Sequence, residues 1–221
     1  MKKLILSLLI FGAIVSADPV HSTFIGVSQN PAVVNGDLAG PYYLQTYGNT
    51  FPIMCINDDL TVYFGEQYPA YITPIAGPDF SHTYLGNSGE WVDGVDFTSQ
   101  QIYQAEAYLF SKIIAPGADT GDIQLAAWAI RDANTFANLS TTSGAYGYIL
   151  DAYYNAGSFD STGYQIISDV NHSAQEFICN PADAAVPEPG TLGLLGGSLA
   201  GLGALRFAWR KKRANNTPRE V

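Results

Sequence analysis

Positive charge is nearly missing from the middle of this 221-residue chain. Between Asp18 and Ala185 the only bases are Lys112 and Arg131. They stand against eighteen acids, a net of −16 within a chain whose total is −10. So few bases cannot neutralise a phosphate backbone, which excludes nucleic acid as the partner. Cysteine and methionine occur twice each, and histidine three times. No cluster of His and Cys has zinc spacing, and no glycine-rich phosphate loop appears. There is no twelve-residue EF-hand loop, so solvated turns explain Asp58, Asp59, Asp93 and Asp96 more simply than calcium does. A Cys–His hydrolase needs His82 or His172 beside Cys55, and no nucleophile signature surrounds that cysteine. The expectation is a protein without metal, without cofactor and without enzymatic turnover.

Apolar residues are plentiful at 47%, and aromatics reach 13%, enough for a packed core. Bases concentrate at the two ends. Lys2 and Lys3 precede an apolar run from Leu4 to Val15, and Val15-Ser16-Ala17 supplies small residues at a cleavage site. Residues 1–17 therefore read as a secretory signal peptide. Export makes a disulfide permissible.

At the other end, Pro187-Glu188-Pro189 leads into an apolar segment at about 190–209. Arg210, Lys211, Lys212 and Arg213 follow, and then a short cytoplasmic tail, 214–221. The physical reading is a single stop-transfer helix whose cations stay on the cytoplasmic side. Arg206 can snorkel to the same interface as Trp209. The order Pro-Glu-Pro, apolar helix, basic cluster resembles the PEP-CTERM sorting signal of Gram-negative bacteria, here over 187–213. That resemblance implies recognition by an exosortase-type processing enzyme. It also implies transient anchoring in the inner membrane and delivery to the cell envelope or extracellular matrix.

The intervening ectodomain, 18–181, joins that signal through a linker at 182–186. Its fold class reads as α+β: a strand-rich N-terminal half, a small helical cluster and returning C-terminal strands, then the single C-terminal hydrophobic helix. Strands are predicted at Phe24–Val27, Tyr42–Leu44, Phe51–Ile56 and Leu60–Phe64, with Asn57-Asp58-Asp59 turning the last two into a hairpin. Thr98 and Gln101 fit a capping box ahead of the stripe Ile102, Ala105, Leu109 and Ile113. Further helices are predicted from Asp119 or Thr120 to about Asp132 and from Ala145 to Asn155. Strands return at Tyr164–Val170 and Gln175–Cys179.

Alternation puts Phe51, Ile53 and Cys55 on one strand face. Gln124 and Trp128 lie one turn apart on one helix face. A Cys on a strand before an acidic turn, followed by a Gln-x-Ala-x-Trp helix, resembles the bacterial thioester domain. The resemblance implies that the Cys55 sulfur and the Gln124 side-chain carbonyl join with loss of ammonia. Trp128 would shield the bond, and an amine or hydroxyl on a target surface would attack it, making the protein a covalent adhesin. The residues themselves leave a second reading open. Two cysteines in an exported chain pair by default, so a Cys55–Cys179 disulfide would staple a non-reactive structural or carbohydrate-associated matrix module. The partners on these readings are a surface or matrix polysaccharide or a nucleophile-bearing surface. Abundant tyrosines would suit sugar stacking or simply the core.

Overall fold

The computed structural model describes residues 18–28, 31–89 and 97–183. The signal peptide, the sorting segment and its apolar helix lie outside the described residues. Among those described, no helix is long and apolar enough to cross a membrane.

The fold is α+β. Six strands close a barrel: β1 (Val20–Val27), β4 (Tyr42–Thr46), β5 (Asn49–Cys55), β8 (Phe177–Cys179), β7 (Gln165–Asp169) and β6 (Gln67–Pro74), in that spatial order. Every neighbouring pair is antiparallel, and β1 returns to β6 to close the ring. Closure gives each barrel strand a neighbour on both sides. Outside the barrel, β2 (Ala32–Val34) and β3 (Asp37–Ala39) make a small hairpin.

Four helices cover one side: α1 (Ser99–Ile113), α2 (Thr120–Arg131), α3 (Ala133–Ala137) and α4 (Gly144–Asn155). The predicted capping box is present at α1. Thr98 accepts from the Gln101 backbone, and the Gln101 side chain accepts from the Thr98 N–H. Just upstream, Gly89 has φ +61°, and a Cβ there would lie 2.3 Å from the Ser99 backbone nitrogen. Only glycine lets the preceding turn press so closely on the start of α1.

Strand β5 separates two cores. Ile53 and Cys55 join Phe24, Leu44 and Phe177 inside the barrel. Met54 joins the cluster built by α1, α2 and α4. Covered on both faces, Ile53, Met54 and Cys55 are all fully buried. Helix α2 spans the two cores. Ile123, Ala126, Ala127 and Ile130 pack among the helices, while Trp128 enters the barrel cluster.

Two expectations fail. Leu60–Phe64 is not a strand, and Asn57-Asp58-Asp59 does not close a hairpin. Both edges of β5 are already occupied, by β4 and β8, so the following segment has no edge to join. The Asn57 side chain instead donates to Asp59 and accepts from the Glu176 N–H, which turns the chain aside. Strand β6 escaped prediction because Pro69 and Pro74 interrupt it. Pro69 has no N–H to return to the ladder, but its carbonyl still accepts from Val170 N–H at 3.0 Å.

Candidate functional site

Cys55 is the last residue of β5, and α2 carries Gln124, Trp128 and Arg131 at i, i+4 and i+7, on one face. The two segments meet at the barrel end. The Gln124 side-chain amide donates to the Cys55 carbonyl at 2.5 Å across 69 residues of sequence. The Cys55 thiol donates to the Asn57 carbonyl at 2.8 Å. Cys55 and Gln124 are fully buried, and Trp128 is 2% exposed. The structure thus brings together all three residues of the predicted thioester group.

Satisfaction of this group is incomplete. Gln124 Oε1 is buried without a hydrogen-bond partner, and so is Trp128 Nε1. A buried acceptor left unmade costs about 1–3 kcal/mol. Burial pushes the Cys55 thiol up to about 12, and the Asn57 backbone pulls against that rise. The thiol is therefore protonated and shielded from solvent reagents.

A buried ionic cluster sits at the end of α2. The Arg131 guanidinium lies 2.6 Å from Glu176 and 3.8 Å from Glu106, and both glutamates are fully buried. Glu176 also accepts from Tyr103 Oη, Ser168 Oγ and the Tyr84 N–H. Its own N–H donates to Asn57. Arg131 thereby ties α2 to the corner that holds the Cys55 thiol. Glu106 has no hydrogen bond, and burial raises its pKa well above the ordinary value despite Arg131. Burial acts against the Arg131 cation, but Glu176 and Glu106 outweigh it and hold the guanidinium charged. This cluster was not recognised from the sequence. The available signal was Arg131 itself, a lone arginine in register with Gln124 and Trp128.

A cavity of about 260 Å³ opens beside the group. Trp128 and Tyr42 form its inner wall, Tyr63 and Phe64 its exposed outer wall, and Asp37 and Asp58 also line it. The Tyr42 hydroxyl donates to the Leu38 carbonyl, which clasps the β2–β3 hairpin over the site. Burial raises the Tyr42 hydroxyl above the ordinary tyrosine value, and Cys55 and Asp37 add to the shift. Tyr42 thus lines the cavity and belongs to the same barrel cluster as Cys55.

Cys55 and Cys179 are both free thiols. Cys179 pairs with Ile53 and Cys55 with Phe177, so the two cysteines lie diagonally on neighbouring strands, both inside the barrel. His82 stacks on Tyr71 at 4.0 Å and His172 on Tyr84 at 4.3 Å, while the Cys55 thiol bonds Asn57. Among the described residues no group of three His, Cys, Asp or Glu side chains can hold a metal ion. Asp93 and Asp96 lie outside them.

Residues 185–213 match the PEP-CTERM protein-sorting motif. The match includes Pro187, Glu188 and Pro189 and the cationic cluster Arg210 to Arg213. The chain is thus an exosortase-sorted, exported protein of the cell envelope or extracellular space. No curated protein matches the chain, and no solved structure matches it.

Proposed function

We propose that the ectodomain is a covalent adhesin whose reactive group is a Cys55–Gln124 thioester. One observation carries the reading: a fully buried glutamine whose amide nitrogen bonds the backbone of a fully buried cysteine, while its carbonyl oxygen has no partner. A merely structural buried glutamine satisfies both ends. In the reaction the Cys55 sulfur bonds Gln124 Cδ and the Cδ–Nε2 bond breaks. The thiol proton leaves with the nitrogen as ammonia. Trp128 excludes water from the product, so hydrolysis waits until a target displaces that cover. The protein acts once per molecule, without turnover. It reaches the envelope of a Gram-negative cell after transient anchoring in the inner membrane by the segment at 190–209.

The second reading is a non-reactive, carbohydrate-associated matrix module stapled by Cys55–Cys179. The shared barrel interior and the neighbouring strands favour it. Register opposes it, because diagonal partners stand about 7–8 Å apart, beyond the usual disulfide reach.

The intact mass of the exported chain, before and after methylamine, separates the two. A mass one ammonia below the sequence value, with methylamine then added at Gln124, supports the thioester. A mass two hydrogens low that ignores methylamine replaces it with the disulfide. An unaltered mass removes both.

A further inference from the structure

Strands β2 and β3 form a hairpin that joins no ladder of the barrel. Ala32 pairs with Ala39, Val33 with Leu38 and Val34 with Asp37. Paired residues share a face and successive residues alternate, so Ala32, Val34, Asp37 and Ala39 face one way and Val33 and Leu38 the other. The second face meets solvent: Val33 is 66% exposed and Leu38 40%. The first lies against the molecule. Val34 packs on the barrel cluster, Ala39 is fully buried, and Asp37 lines the cavity beside Trp128. At the start of α2, a Cβ on Gly121 would lie 3.3 Å from Ala32 Cβ and 3.6 Å from Val34 Cγ2. The missing side chain lets the hairpin lie flat on the helix.

Little holds it there. Its apolar inner face is made of Ala32, Val34 and Ala39, and a two-stranded hairpin is marginal by itself. Its side-chain tie to the barrel is the Tyr42 hydroxyl, which donates to the Leu38 carbonyl. At the tip, Asn35 (φ 55°) and Gly36 (φ 99°) make the left-handed turn that suits a two-residue hairpin loop. At the root, the Ser28 N–H donates to the Pro41 carbonyl at 3.0 Å and pins the two legs together. A segment pinned at its root, with so little apolar area buried beyond it, opens at lower free energy than the barrel. It also covers something. Asp37 and Leu38 form one wall of the cavity whose inner wall is Trp128 and Tyr42, and both of those belong to the barrel cluster that contains Cys55.

We propose that the β2–β3 hairpin is a lid that swings about the Ser28–Pro41 root and controls the access of dissolved reagents to Trp128 and Cys55. Closed, it keeps Val34 on the barrel cluster and holds Tyr42 against the Leu38 carbonyl. Open, it removes both contacts together and leaves Trp128 as the remaining cover of the cysteine. The lid belongs to the fold and needs no thioester; its effect on adduct formation rests on the thioester reading.

The test uses the full-length chain in detergent micelles. Trp91→Phe with Trp209→Phe leaves Trp128 as the single tryptophan of three, so acrylamide quenching reads its access to solvent. In that background Ala32→Cys with Gly121→Cys places two thiols where the Cβ separation suits a disulfide after a shift of a few tenths of an ångström, which locks the lid shut. Ala32→Ser with Gly121→Ser is the unlocked control, and peptide mass verifies the introduced bond. The lock should lower the quenching constant severalfold and slow methylamine addition at Gln124 to match. Tyr42→Phe, which removes the clasp but keeps the ring, should raise both by about two- to tenfold. Equal quenching in locked and control chains overturns the lid. Quenching that falls while the methylamine rate holds overturns its control of Cys55. If the locked chain does not fold, Tyr42→Phe decides, and quenching unchanged from the parent overturns the proposal. A wild-type mass without ammonia loss would sink the thioester, yet leave quenching to decide the lid by itself.

Discussion

Gln124 donates its side-chain amide to the main-chain carbonyl of Cys55 at 2.5 Å, inside a site that water does not reach. The contact fixes the head of a flexible side chain against the one strand residue that carries sulfur. Gln124→Ala should remove any methylamine adduct while the chain still folds. Losing the buried hydrogen bond should destabilise by about 1–3 kcal/mol, read from urea unfolding. An adduct that persists in this variant would place the reactive acyl group elsewhere.

Thiol counting separates three states of the same pair. Both cysteines are buried, and burial raises both thiols, Cys55 to about 12. Neither should react with iodoacetamide in the folded protein at neutral pH. After acid denaturation without reductant, titration should find one thiol for the thioester, two for free cysteines and none for the disulfide.

Glu106 should make stability depend on pH in an unusual direction. Its folded pKa is raised above the ordinary 4.5, chiefly by burial. Its contribution is full below 4.5 and is lost as pH rises through the folded value, because the charged form is penalised only in the folded state. Urea midpoints of the wild type should fall across that window, and Glu106→Gln should flatten the fall. A wild-type midpoint that rises there would contradict the burial of a carboxyl that accepts no hydrogen bond.

Arg131→Met removes the counter-charge of the fully buried Glu176 and should cost about 3–5 kcal/mol. Thioester yield should fall with it, since Arg131 ties α2 to Asn57 through Glu176. Chemical denaturation and intact mass, taken on one preparation, read both effects.

Gly89→Ala tests the seat of α1. The residue has φ +61°, and the added Cβ would approach Ser99 N and Phe97 O within 2.5 Å. Backbone atoms cannot swing aside, so a loss of at least about 1–3 kcal/mol is expected in thermal or urea unfolding.

Much of the local structure was legible. The capping box at Thr98 and Gln101 appears as read, and α2 spans Thr120–Arg131 beside an expected span ending near Asp132. Helix periodicity and caps are properties of neighbouring residues, so a one-dimensional pattern carries them. The sorting segment was legible for the same reason, because its order of proline, apolar run and cations is itself linear. Strand identity was harder. Leu60–Phe64 has the composition of a strand but no free edge to pair with, and β6 pairs well despite its two prolines.

The sequence by itself determined the address of this protein, its acidic ectodomain, its main helices and the identity of Cys55, Gln124 and Trp128 as candidates. The tertiary structure decided that the barrel closes from β1 to β6, and that Gln124 comes to rest on Cys55. It also decided that Arg131 is buried between Glu106 and Glu176 rather than solvated. Each of these is a contact between segments far apart in the chain. Pairing partners, burial and the neighbours of a charge are set by how the layers pack, and no local pattern of residues encodes them.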